Sequence, residues 1–268
     1  MDFFTRPGKG GGAWCGGYRS QTYENGKRVV PIVTTVFNFS KPAEGQPALL
    51  TADETETVFH EFGHALHSLF GDVHYYGVSD VPRDFVELPS QVDEHWAFEP
   101  KVLKVYAKHY QTGEVIPQAL VEKMTNAGKY GQGFATTEYV AASLLDMDYH
   151  VLKEIPKDFD IEKFEAQKMS DRGLISQIPP RYRTTYFGHT MEGGYTAGYY
   201  SYMWAEVLDC DAFQAYVETG DIFNQTVAQK FRQYVLTPGG IDDAMDMYVN
   251  FRGKKPSIEP LLKNRGLK

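Results

Sequence analysis

Thr51 and Glu54, spaced as a capping box just ahead of the run TVFHEFGHALHSLFG (Thr57–Gly71), fix the most determinate element of this chain. The threonine hydroxyl and the glutamate carboxylate can satisfy the first free backbone amides of a helix, and Gly71 offers its stop, so the pattern predicts a helix to about Phe70. Residues three and four apart share a helix face. His60 and His64 therefore project together, and His67 lies almost above His60 two turns on. Val58, Phe62, Ala65, Leu66 and Leu69 form the adjacent apolar stripe, which demands a packing partner.

Two imidazoles one turn apart can meet a single tetrahedral Zn²⁺ at about 2.0–2.1 Å from each nitrogen, which is the mechanical content of H-E-x-x-H. Glu61 then stands beside the metal without having to bind it. The competing reading is a buried helix whose histidines find ordinary hydrogen bonds; the cap and the apolar stripe favour the metal, one Zn²⁺ per chain. For a third ligand the segment PRDFVELPSQVDEHW offers Glu87, giving a His₂Glu set with a position left for water. Asp84, Asp93, Glu94 and His95 are rivals in the same segment. His67 would have to reach across about 10 Å of helical rise, so it reads as outer-shell or core. Asp84 or Asp93 is expected to orient a ligating imidazole through its second nitrogen. A closed site completed by His67 or His95 would instead be structural, in a protein that binds peptides without cleaving them.

The rest of the chain reads as predominantly α. Residues 1–50 form a loop and strand region: Met1–Asn25 is glycine-rich and expected as loop, while Val29–Phe39 is dense in β-branched and aromatic residues and expected as the main strand. Residues 51–268 are mainly helical, with periodicity at Val92–Gln111, Pro117–Ala127, Thr137–Lys153, Ile161–Ser170, Gly198–Gly220 and Val227–Tyr234. With no convincing linker, one domain spans the 268 residues. Apolar runs such as VVPIVTTVF fall short of the roughly 20 residues of a membrane span. A formal charge of −8 argues against nucleic acid or an anionic membrane as partner. Cys15 and Cys210 are too few for a disulfide scaffold or a four-cysteine zinc site, and are expected unpaired. The opening residues lack the features of a signal peptide.

A second constellation lies in PPRYRTTYFGHTMEGGYTAGYYSYMWAEV, Pro179–Val207. It gathers His189, the glycines Gly193, Gly194 and Gly198, and six tyrosines, with Tyr199 and Tyr202 three apart on one helix face. Tyrosine hydroxyls are neutral donors suited to an oxyanion, and the glycines suit a loop that approaches a peptide backbone or moves over it. The alternative is that tyrosines at helical spacing simply line a core.

Together, FHEFGHALH, RDFVELPSQ and FGHTMEGGYTAGYYSYMW resemble the thimet oligopeptidase family of zinc metallopeptidases. RPGKGGGAW, SLLDMDYH and PPRYRTTYFGH look most like its peptidyl-dipeptidase branch. The resemblance implies a zincin-like catalytic domain in which His60, His64 and Glu87 hold Zn²⁺ and Glu61 is the general base. It further implies that Tyr199 and Tyr202 hydrogen-bond the substrate, that His189 is another contact, and that Gly193, Gly194 and Tyr195 belong to a mobile loop beside the cleft. The implied activity is release of C-terminal dipeptides from short peptides, which needs a cation for the free carboxylate; Arg181, Arg183 and Arg83 are candidates by charge. An endo-acting oligopeptidase and a catalytically incompetent peptide-binding fragment are the alternatives. Because family members are more than twice as long, the chain resembles their C-terminal catalytic portion, with the N-terminal half as a partner. The implied compartment is the cytoplasm, with the periplasm as alternative.

Overall fold

Pro31 divides the β-rich opening. The run Val29–Phe39, expected as one strand, is instead β4 (Lys27–Val29) and β5 (Ile32–Phe39), because a proline nitrogen has no proton to give a ladder. The computed structural model describes Met1–Lys268. Its residues group into two compact units, Met1–Thr125 with Ala205–Lys268, and Asn126–Trp204.

In the first unit, the stretch expected as loop supplies β1 (Asp2–Phe4), β2 (Trp14–Arg19) and β3 (Thr22–Glu24). The first two flank β5 in the order β1-β5-β2, β1 parallel and β2 antiparallel. Glycines hid β2 from a propensity reading, since Gly16 and Gly17 bring no side chain to pack and enter the ladder through backbone alone. The intervening glycine loop is pinned from below: Lys9 Nζ donates to the carbonyls of Phe4 (2.9 Å) and Phe37, and Asn38 Nδ2 donates to those of Gly10 and Gly12, each at 2.7 Å. β3 and β4 form a hairpin turned by Asn25 and Gly26, whose positive φ angles (50° and 73°) are those of the Asn-Gly two-residue turn.

The helices are α1 (Ala52–Phe70), α2 (Glu87–Ala97), α3 (Pro100–Tyr106), α4 (Gln118–Ala127), α5 (Gln132–His150), α6 (Ile161–Asp171), α7 (Gly188–Met191), α8 (Ser201–Val217), α9 (Gln225–Phe231), α10 (Ala244–Arg252) and α11 (Glu259–Asn264). The fold is thus mainly helical with a small sheet near the N-terminus, as the sequence predicts. No helix is long and apolar enough to cross a membrane. The capping box is present in both directions, Glu54 N to Thr51 Oγ1 at 3.2 Å and Thr51 N to Glu54 Oε2 at 2.9 Å. The helix expected over Val92–Gln111 is two, broken where Glu99 turns extended and Pro100 opens α3. The C-terminal α10 lay outside the predicted helices, although Asp243 caps it by accepting the amides of Met245 and Asp246.

α1 packs along α2, and Gly63 lies directly against the α2 backbone. A Cβ there would stand 2.7 Å from both the Pro89 carbonyl oxygen and the Ser90 Cα. Backbone cannot give way as a flexible side chain does, so Gly63→Ala must part the two helices. The expected cost is about 1–3 kcal/mol of stability, and zinc affinity should fall with it because α2 begins at Glu87. Chemical denaturation and a chelator competition on the purified variant check both; unchanged zinc affinity would remove Gly63 from the account of the site.

In the second unit, α5 presents two buried faces. Tyr139 and Ala142 pack with Phe187 and Tyr199, while Ala141 and Leu145 pack with Met169 of α6. Arg172, just past α6, makes a two-pronged bond to Asp148 of α5 (3.0 and 2.7 Å).

Candidate metal centre and tyrosine cluster

His60 and His64 extend from adjacent turns of α1 toward Glu87, the first residue of α2. Glu87 Oε2 lies 3.3 Å from His60 Nε2 and 3.2 Å from His64 Nε2, and one ligand atom from each of the three falls within 4.8 Å of the others. Two ligands of one tetrahedral zinc stand about 3.3 Å apart when their bonds are 2.0–2.1 Å long. The observed separations are those of ligands around a common point, and at the long edge of a direct hydrogen bond, the contact the three groups make without the ion. The other ring nitrogen of His60 is engaged as a ligating imidazole requires: Nδ1 donates to Glu94 Oε1 at 2.6 Å. The sequence pointed to Asp84 or Asp93 for that duty. Asp84 precedes the helix, and Asp93 is rotated away from Glu87, whereas Glu94, seven residues on, returns to nearly the same face. That spacing was the available signal.

The electrostatics follow the geometry. Burial by itself would lower the His60 pKa, but the carboxylates of Glu87 and Glu94 overcome it and raise it to about 10. Burial raises Glu87, and the two imidazoles more than reverse this, holding it well below the usual carboxylate range. Glu61, 4% exposed, is raised by burial, partly offset by His60 and His64. Its Oε2 is buried without a hydrogen-bond partner. A buried carboxylate oxygen left open beside a ligand set is what a waiting proton acceptor requires. His67 lies outside the group; burial pushes its pKa down to about 4 and keeps it neutral.

His95, Asp209 and Cys210 form a second cluster of ligand types. Here His95 Nε2 and Asp209 Oδ1 are 2.7 Å apart, a hydrogen bond rather than the edge of a coordination polyhedron. The His95 ring also stacks on Phe213, centroids 4.6 Å apart and 8° from parallel. This set fits a buried ion pair that fastens α2 to α8.

The second unit brings together the other predicted residues. The His189 ring lies 5.9 Å from Tyr195, 5.4 Å from Tyr199 and 6.1 Å from Tyr202, and Tyr195 stacks on Tyr202 at 5.0 Å. Tyr199 is buried, and burial raises its phenol pKa. The glycine turn closes on itself, Gly193 N donating to Gly188 O (2.8 Å) and Tyr195 N to His189 O (3.1 Å). A Cβ at Gly193 would lie 2.8 Å from the His189 carbonyl oxygen, so a side chain does not fit there. Gly194 is exposed. Arg183 is committed to the buried Glu165, while Arg181 lays its guanidinium over the Tyr182 ring, 5.7 Å from the centroid. The metal group and the tyrosine group thus belong to different units.

Comparison with known proteins adds the following. A family model described as Peptidase family M3 matches residues 1–267. The chain is 44% identical to dipeptidyl carboxypeptidase of Escherichia coli (strain K12) over 269 residues, 99% of this chain and 39% of that protein. It is 37% identical to oligopeptidase A of the same organism, over 100% of this chain and 40% of that protein. A crystal structure described as oligoendopeptidase F from Bacillus anthracis str. Ames superposes with a TM-score of 0.59 at 13% identity, covering 99% of this chain and 39% of that one, a likeness of fold alone. The chain therefore spans about two fifths of the length of these relatives.

Proposed function

The chain belongs to peptidase family M3, and from that premise we propose that it carries the zinc-dependent catalytic machinery of a peptidase that releases dipeptides from the C-termini of short peptides. The observation that carries the reading is the arrangement of His60, His64 and Glu87 around one point, with the open carboxylate oxygen of Glu61 on the same helix. His60, His64 and Glu87 hold one zinc per chain, and Glu94 fixes the His60 ring. When bound, zinc polarises the scissile carbonyl and acidifies water. Glu61 takes a proton from the attacking water and passes it to the leaving amine. Family membership, rather than a measured distance, supports Tyr199 and Tyr202 as O–H donors to the carbonyl oxygen as negative charge develops on it, with His189 as a further contact. Gly193, Gly194 and Tyr195 border the bound peptide, and Arg181 receives its terminal carboxylate. The two free cysteines are compatible with the reducing cytoplasm, the compartment this reading takes.

The 37% identity to oligopeptidase A supports a second reading, endo-cleavage of oligopeptides. One comparison separates the two: a peptide with a free C-terminus and its amidated twin, assayed by mass spectrometry of the products. Dipeptide release chiefly from the free form, with the amide cleaved about a hundredfold more slowly, is expected, as for loss of a charge-assisted anchor. Equal cleavage of both at internal bonds would establish the second reading instead.

A further inference from the structure

Asp146, on α5, is fully buried and holds a turn of the tyrosine segment by its backbone. One carboxylate oxygen accepts the amide of Ala197 and the other that of Tyr199, each at 3.0 Å. Two turns earlier on the same helix face, Tyr139 donates its hydroxyl to the Tyr199 carbonyl and accepts the Met203 amide at 3.3 Å. The turn so held is not one the chain adopts freely, for Ala197 sits at φ 52°, in the left-handed region that side chains disfavour. His150, one turn beyond, hydrogen-bonds the Asp146 backbone carbonyl through Nδ1 at 2.8 Å and brings that nitrogen to 2.9 Å from Oδ1, while the two amides occupy both carboxylate oxygens. An asparagine would keep the shape, satisfy one amide and turn its own N–H groups toward the other.

We propose that Asp146 is a positioning residue: it sets the Ala197–Tyr199 turn, and through that turn the hydroxyls of Tyr199 and Tyr202 that meet the substrate. The inference rests on the reading of those tyrosines given above. A buried carboxylate that merely stabilised the fold would make the same hydrogen bonds, so the distinguishing property is coupling. If Asp146 acts through the tyrosines, its removal matters only while their hydroxyls are present.

The test uses the full-length, zinc-loaded protein and the peptide with a free C-terminus, comparing the parent, Asp146→Asn, the double variant Tyr199→Phe with Tyr202→Phe, and the triple variant. Asp146→Asn is expected to lower kcat about tenfold, with KM within about twofold and zinc content unchanged. In the double-phenylalanine background the same change should cost less than about twofold. Equal losses in both backgrounds, or no loss in the parent, overturn the inference while leaving the tyrosine assignment intact. Parental kcat in the double-phenylalanine protein removes that assignment and the inference with it. Should Asp146→Asn fail to fold, Tyr139→Phe, which deletes only the second clamp's hydroxyl, is carried through the same comparison. The same non-additivity is expected of it, and additivity would again overturn the proposal.

Discussion

Glu61→Gln is expected to lower kcat/KM by about a thousandfold, the middle of the range for loss of a general base, while zinc content stays at one per chain. Glutamine fills the same volume, so the packing of α1 on its neighbours is kept. What it lacks is a lone pair basic enough to take a proton from water. The expectation rests on Glu61 lying among the ligand-bearing side chains without being one of them: it feels His60, His64 and Glu87 electrostatically, yet its Oε2 has no hydrogen-bond partner. Peptide turnover and elemental analysis on the same preparation decide the matter. Retained turnover would sink the base assignment, and lost zinc would make Glu61 a ligand.

Glu87→Gln should weaken zinc binding by more than about a hundredfold, beyond the effect of losing an outer-shell partner, and activity should fall in step. Glu87 is 2% exposed and is the one group that faces both imidazoles. An amide oxygen brings no charge to offset the ion. In the metal-free protein the same carboxylate, with Glu94, keeps His60 protonated up to about pH 10, so zinc taken up near pH 8 must displace that proton. Calorimetry in buffers of differing ionisation enthalpy should therefore register about one proton released per zinc for the parent protein. No release would mean that His60 is already neutral there. For the variant, zinc retained at parental affinity in a chelator competition would exclude Glu87 as a ligand.

Much of the site was written in local spacing. The Thr51–Glu54 cap and the four-residue interval between His60 and His64 are properties of a single helix, and they survive folding unchanged. Glu87 was reachable because it opens a second helix, although Pro89 in that helix's first turn hid where it begins; proline is tolerated there since the first amides have no partner within the helix. Glu94 was visible only as a rival ligand, because its duty depends on how α2 is rotated against α1. The strands failed for another reason: β2 is held by its neighbour β5, and nothing in Gly16 or Gly17 announces a ladder. Asp146 stands in the resemblance-bearing run SLLDMDYH with no role attached to it there, and its meaning lies in the two amides that fold back onto it from 51 and 53 residues away.

The ligand set and its orienting carboxylate come from one helix pair, α1 and α2, and the farthest partners, His60 and Glu94, are 34 residues apart in the chain. Closing so short a loop costs little chain entropy compared with joining distant segments, and contacts of small sequence separation form early in folding. The metal site should thus be a local event in the history of the molecule. Zinc captured by a nascent helix hairpin would stabilise that hairpin by mass action, so the metal can act on the fold before the distant segments of the chain have met.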